Sequence, residues 1–123
     1  MILADTSIWI DHLRSGSQAL SSLLQNDIVC THDFVIGELA CGNLRNRAEV
    51  LGLLQSLPRL SAATEDEALF FIEKQRLAGC GIGYIDAHLL AATAVNGARI
   101  WTKDKRLKAI AEEKGWGHAT GTH

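Results

Sequence analysis

Four acids stand in apolar settings that a solvated surface does not require: Asp5, Glu38, Asp86 and Asp104. Asp5 closes the run Met1-Ile2-Leu3-Ala4, and Glu38 lies inside Asp33-Phe34-Val35-Ile36-Gly37-Glu38-Leu39-Ala40. Asp86 opens the stretch Tyr84-Ile85-Asp86-Ala87-His88-Leu89-Leu90-Ala91-Ala92, and Asp104 follows Arg99-Ile100-Trp101-Thr102. A charge held against apolar neighbours is costly unless it is paired or binds a cation. No Lys or Arg is equally placed, so the four acids point to a divalent metal site. Oxygen-only ligands select hard cations, here Mg²⁺ or Mn²⁺, and four carboxylates suffice for one ion or two. Such a site suits phosphodiester hydrolysis: the ion lowers the pKa of a bound water, sets it in line and stabilises the departing oxygen. No nucleophile elbow appears, and no Ser-His-Asp or Cys-His arrangement competes.

Each acid also has a plain structural use. Asp5 and Asp104 can cap the helices that follow them. Asp86 can be an ordinary first-turn acid, and Glu38 can pair with Arg45 or Arg47. Four unrelated coincidences are then needed to dissolve the site. Glu65-Asp66-Glu67, Glu73 and Glu112-Glu113 sit in charged runs and read as solvated faces, while Asp11, Asp27, Asp33 and Glu49 read as structural.

The elements that must position these acids alternate. Residues 1–5 read as a short buried strand. Helical segments follow over 6–14 and 18–25, broken at Ser15-Gly16-Ser17. Ile28-Val29-Cys30-Thr31 is β-branched and reads as a second strand. A helix runs from Asp33, with Asp33 or His32 near its cap, to Cys41 or Gly42. Another covers about 46–57 and stops at Pro58, the one proline. Leu60 marks a short third strand. Thr64-Glu65-Asp66-Glu67 is a capping box that opens a helix to about Ala78. Gly79, Gly81 and Gly83 form a turn, and 84–96 is a nearly all-apolar helix ending at Asn96-Gly97. Residues 98–102 form a fourth strand, 104–114 an amphipathic helix, and Gly115-Trp116-Gly117 a last short strand. The tail Ala119-Thr120-Gly121-Thr122-His123 reads as frayed. Strands alternating with helices imply an α/β chain: a three-layer α/β/α sandwich on a central, mostly parallel sheet of four to five strands. Ligands collect beyond the C-terminal strand ends of such sheets, where Asp5 and Asp104 stand. Asp86 sits in the first turn of its helix, where the dipole favours a carboxylate. Glu38 shares a helical face with Phe34 and Val35, which predicts an inward-pointing side chain.

The 123 residues fit a single domain, 1–123, and 47% apolar content supports a packed core. A formal net charge of −2 gives no basic footprint of the kind nucleic-acid binding usually shows, but an acidic metal site would offset basic residues elsewhere. Cys30, Cys41 and Cys80 lack metal or disulfide spacing and read as buried free thiols in a reducing compartment. No charged leader and no membrane-length apolar run is visible, so a cytoplasmic location is expected.

Taken together, Leu3-Ala4-Asp5-Thr6-Ser7-Ile8-Trp9-Ile10, Val35-Ile36-Gly37-Glu38-Leu39, Ile85-Asp86-Ala87-His88-Leu89-Leu90-Ala91-Ala92-Thr93-Ala94 and Trp101-Thr102-Lys103-Asp104-Lys105-Arg106-Leu107 resemble the PIN-domain family. Within it they are most similar to the VapC toxin ribonucleases of toxin–antitoxin pairs. The resemblance spans the chain in order. It implies a metal-dependent endoribonuclease, a homodimer, and inhibition by a cognate VapB-type antitoxin. By motif, Asp5, Glu38 and Asp86 match the three principal metal-binding acids, and Asp104 matches a more variable fourth. Thr6, Ser7 and Thr102 match hydroxyls that the family uses to orient carboxylates or metal-bound water, in keeping with the outer shell that metal ligands need.

RNA contact is assigned to Arg14, Lys103, Lys105 and Arg106, with Arg45 and Arg47 nearby, because phosphate neutralisation needs several cations. Trp9 at core spacing with Leu13 reads as packing, as does His88, which points away from Asp86. His12, His32, His118 and His123 show no ligand spacing. Gly79-Cys80-Gly81-Ile82-Gly83 lacks the strand and lysine of a phosphate loop. Two other classes compete: a phospho-acceptor module like a receiver domain, and a PIN-like binding module without catalysis. The apolar residues Leu20, Leu23, Leu24, Val50, Leu51 and Leu54 exceed what one small core hides, which predicts a homodimer and a groove for an antitoxin segment.

Overall fold

The computed structural model describes residues 1–119. The expected fraying of the tail falls on 120–123, outside the described residues; Ala119 is exposed. The chain runs β1 (Ile2–Ala4), α1 (Thr6–Ser15), α2 (Gln18–Gln25), β2 (Val29–Cys30), α3 (Asp33–Ala40), α4 (Arg47–Ser56), α5 (Glu65–Lys74), α6 (Tyr84–Val95), β3 (Arg99–Trp101) and α7 (Lys105–Lys114).

The sheet is parallel, in the order β2-β1-β3. The expected four to five strands resolve into these three regular strands, with one single parallel bridge on each edge: Thr31 with Arg59 and Ile100 with Gly117. Pro58 has no N–H to extend the first edge, and Gly117 has no side chain to pack on the second. Strands β1 and β2 carry buried, largely apolar side chains, as a sheet covered on both faces requires. Right-handed crossovers from β1 outward through β2 place α1–α4 on one face, and the return through β3 places α5–α7 on the other. Packing of α1 on α3 and of α3 on α4 in one layer, and of α5 on α6 in the other, agrees with this sandwich.

The core joins Leu3, Trp9, Leu20, Val35, Leu54, Leu90, Ile100 and Leu107, all fully or almost fully buried. Trp9 is wholly enclosed, with its ring edge-on to His12, so it packs and does not present a stacking face. Leu20 and Leu54 are also enclosed, and Leu23, Leu24, Val50 and Leu51 pack against the core. These six residues, expected to exceed one core, are thus packed within the chain. Apolar exposure is largest at Phe70, Leu69 and Val95, and Ile10, Leu13 and Leu53 of the N-terminal helices are also exposed.

Helix ends follow local chemistry. The Thr64 capping box forms in full, with Thr64 and Glu67 exchanging side-chain-to-backbone hydrogen bonds of 2.8 and 3.2 Å. Helix α5 ends at Lys74, short of Ala78, because Arg76 takes a left-handed φ of 56°. Cys30 is buried, whereas Cys41 and Cys80 are exposed, correcting the expectation of three buried thiols. Cys41 follows the C-terminus of α3, and Cys80 lies in the glycine-rich turn before α6.

Gly81 is constrained by a neighbour. Its φ is +84°, and the Arg106 guanidinium occupies the space that a Cβ would need. Gly81→Ala therefore meets both backbone strain and a clash, and should lower stability by about 1–3 kcal/mol. Adding Arg106→Ala relieves only the clash. Denaturant midpoints should place the double variant no lower than Gly81→Ala; an unchanged midpoint in Gly81→Ala would contradict the packing.

Candidate metal centre

The strand order reverses between β1 and β3, since the chain leaves β1 toward β2 and later returns to the other side. A crevice opens at the C-terminal ends of strands where the order reverses in this way. Asp5 and Thr102 are the first residues beyond those two ends, and the Asp5 N–H donates to the Trp101 carbonyl at 3.0 Å. Asp5 is 6% exposed. It caps α1, accepting from the Ile8 N–H at 3.2 Å, and the same carboxylate oxygen accepts from the Ser7 hydroxyl. Asp104 is exposed and caps α7 through the Leu107 N–H at 2.9 Å. Both capping roles are therefore real. Each capping bond uses one carboxylate oxygen.

Two hydroxyls tie these turns together. The Lys103 N–H donates to Ser7 Oγ at 3.0 Å, so Ser7 links the turn after β3 to the Asp5 carboxylate. The Asp104 N–H donates to Thr102 Oγ1 at 3.0 Å, and the buried Thr102 hydroxyl also favours the charged form of Asp5. Thr6 donates to Glu38 Oε1 at 2.6 Å, which joins α1 to α3.

Asp86 lies in the first turn of α6 and is half-buried. Burial raises its pKa above 3.8; the Gly83 backbone N–H opposes this, and the charges of Asp104, Asp5 and Glu38 raise it further. Asp104, Asp5 and Glu38 thus all act on Asp86 as like charges. Burial also raises the Asp5 pKa, against hydrogen bonds from Ser7, Thr102 and Ile8. Glu38 corrects the expectation of an inward side chain: it is exposed. The buried stripe of α3 is Val35 and Leu39, and Glu38 stands beside that stripe on the cleft side. Its partner is Thr6; Arg47 instead binds the carbonyls of Gly42 and Ala40.

Among the described residues no three acid, histidine or cysteine side chains stand close enough to hold one bare ion as they are. The donor set nevertheless fits a hydrated Mg²⁺ or Mn²⁺. Mg²⁺ commonly keeps several waters and takes only one or two carboxylates directly. The N-termini of α1, α6 and α7 begin at Asp5, Gly83 and Asp104, so their positive ends also favour anions here.

The basic candidates divide. Lys103 pairs with Asp11 at 3.1 Å, an exposed ion pair at the rim that the sequence reading had not foreseen. Arg106 lies against Gly81 and is exposed. Lys105 is exposed at the start of α7. Arg14 lines, with Glu38 and Arg45, a groove of about 680 Å³ between α1, α3 and the following loop. Sequence reasoning also missed an aromatic clasp that holds α3 against α6. Phe34 meets His32 at 5.2 Å and His88 at 4.8 Å, and Tyr84 meets His88 at 4.6 Å. His32 Nδ1 accepts from the Phe34 N–H at 3.0 Å and so caps α3. Burial lowers the pKa of both histidines, and packing is the role of His88. The spacing of residues 32, 34, 84 and 88 carries no local signal for this meeting.

A raised carboxylate pKa has a defined effect on stability. Asp5 and Asp86 hold protons more tightly folded than unfolded, so the fold gains stability as pH falls toward the ordinary carboxylate range and loses it as pH rises through the raised values. In chelator-treated protein, Asp86→Asn should therefore raise Tm at pH 7 and flatten the gain in Tm that wild type shows as pH falls toward the ordinary carboxylate range. A lower Tm in Asp86→Asn than in wild type would contradict mutual repulsion at the cleft.

The PIN domain family matches residues 2–113. Two proteins called Ribonuclease VapC32, from Mycobacterium tuberculosis strains CDC 1551 / Oshkosh and ATCC 25618 / H37Rv, are each 48% identical over 116 residues, covering 94% of this chain and 94% of theirs. The crystal structure of PAE2754 from Pyrobaculum aerophilum aligns with a TM-score of 0.60 at 18% identity, covering 90% of this chain and 84% of that one; it speaks to the fold. The helix order, the parallel sheet and these likenesses agree: the chain belongs to the PIN-domain family, among its VapC-type members.

Proposed function

We propose that this chain, one PIN-like unit over 1–123, is a divalent-metal-dependent endoribonuclease serving as the toxin of a VapBC-type pair. One observation carries the reading: the charges of Asp5, Glu38 and Asp104 all act on Asp86, at a sheet crevice. Neither ion pair among the described residues engages any of the four. A half-buried carboxylate beside three like charges is a poor structural choice and a good cation site. The receiver-like alternative loses support because Glu38 and Asp86 come from helices and not from strand ends.

A bound Mg²⁺ or Mn²⁺ supplies Lewis acidity and offsets phosphate charge. Asp5 and Asp86 are the central ligands in this reading, with Glu38 and Asp104 at either side. Ser7 and Thr102 orient Asp5, and Thr6 orients Glu38, so that the carboxylates meet substrate already positioned. The helix N-termini at Asp5 and Asp104 draw the scissile phosphate into the cleft. Arg14, Lys103, Lys105 and Arg106 surround it with positive charge. Attack by water leaves 5′-phosphate and 3′-hydroxyl ends.

The partners follow from the same family. A VapB-type antitoxin segment fits the groove beside Glu38, where Ile10, Leu13 and Leu39 are apolar and Arg14 and Arg45 are basic. A homodimer is the assembly proposed. Among the described residues no helix is long and apolar enough to cross a membrane, and RNA as substrate supports a cytoplasmic site of action.

Cleavage of RNA by purified protein with Mg²⁺, Mn²⁺ or EDTA tests this. Wild type should need the metal, and Asp86→Asn should lose at least about 100-fold in rate, since even outer-shell changes cost 10–100-fold. Ser7→Ala should fall in that smaller range while remaining folded. Equal activity in wild type and Asp86→Asn, or products ending in 2′,3′-cyclic phosphate, would overturn the mechanism.

A further inference from the structure

Asp86 is held differently from the other three acids. Ser7 and Thr102 act on Asp5, Thr6 donates to Glu38, and the Asp104 N–H bonds Thr102 Oγ1. Among the described residues, the hydrogen-bond donor that acts on the Asp86 carboxylate is the Gly83 backbone N–H. Gly83 is the N-cap of α6, and Asp86 stands three residues on. The pair is one half of a capping box, with no cap side chain to complete it. The direction of the carboxylate therefore depends on where the chain places Gly83.

The turn that places Gly83 does not hold itself still. Gly79, Gly81 and Gly83 fall close together, and glycine loses more backbone freedom on ordering than any other residue. Ile82 packs against the core and fixes one side of the turn. Arg106 lies on the other. A Cβ at Gly81 would stand 2.7 Å from Arg106 Cδ and 3.0 Å from Cζ, and nearer still to Nη1. The end of the arginine thus rests on the Gly81 backbone. Arg106 belongs to the first turn of α7, just after the Asp104 cap. It ties the turn that carries Asp104 to the turn that aims Asp86. The contact uses the planar end of the side chain, which the point charge of a lysine does not reproduce.

We infer that Arg106 is a positioning residue: through Gly81 it holds the turn before α6, so that the Gly83 N–H sets the Asp86 carboxylate for metal binding. The consequence for cleavage rests on the nuclease reading above, whereas the hold on the turn rests on the Gly81 contact alone. This part is separate from the positive charge that Arg106 adds around the cleft.

Arg106→Ala, Arg106→Lys and Gly81→Ala, each checked for folding by circular dichroism, test it against wild type. In metal-free protein, amide hydrogen exchange read by NMR should be about tenfold faster at Gly83 in all three, as local opening becomes easier. Mn²⁺ titration followed by electron paramagnetic resonance should give affinities about tenfold weaker. In RNA cleavage kcat should fall while KM changes little, and Arg106→Lys should rescue none of these losses. Arg106→Ala should cost less Mn²⁺ affinity in the Gly81→Ala background than alone, since both changes break one contact. If Arg106→Ala fails to fold, Arg106→Lys carries the same comparison. Unchanged Gly83 exchange and Mn²⁺ affinity, or a lysine that restores cleavage with only KM having moved, would make Arg106 a phosphate contact and overturn the assignment. A wild type that neither binds Mn²⁺ nor cleaves RNA would remove the nuclease reading itself, and Gly83 exchange would still decide whether Arg106 holds the turn.

Discussion

The pairing of β1 with β3 is the constraint on which the acidic cleft depends. It brings two loops far apart in sequence to one end of the sheet, and the Asp5 N–H seals it on the Trp101 carbonyl. Ser7 then spans both loops, accepting from the Lys103 N–H and donating to Asp5. Without that register, Asp5 and Asp104 would each remain an ordinary helix cap. With it, the two caps share a crevice, and the helices that follow direct their positive ends into it.

The cleft is built against its own electrostatics. Burial raises Asp5 and Asp86, and like charges raise Asp86 further. Hydroxyl and backbone donors offset part of this, and the aromatic clasp of Phe34, His88 and Tyr84 keeps α3 and α6 from separating. Stability is thus given up locally and recovered in the core around Leu3, Leu90 and Ile100, a common pattern where a site must hold unfavourable charge.

Much of this was legible in the sequence because hydrophobic pattern and caps act locally. The strands around Leu3 and Ile100, the capping box at Thr64 and the stop at Asn96-Gly97 declare themselves within a few residues. The four acids stood out because their neighbours are apolar. What escaped were angles and long-range meetings. Glu38 was placed on the face of Phe34 and Val35, but the buried stripe runs Val35–Leu39, and a turn of about 100° per residue sets Glu38 beside it. Arg76 ended α5 with a left-handed residue and no glycine or proline to announce it. Arg106 settling on Gly81, Lys103 reaching Asp11 and His88 meeting Phe34 depend on tertiary packing, which one-dimensional spacing does not encode.

The central claim is that Asp5, Glu38, Asp86 and Asp104 act as one cation site. Titration of Mn²⁺ into RNA-free protein, followed by electron paramagnetic resonance, tests it most directly. Wild type should bind Mn²⁺ saturably and release it to excess Mg²⁺. Asp5→Asn and Glu38→Gln should each weaken binding by about tenfold or more. The same Mn²⁺ affinity in wild type and both variants would contradict a shared site.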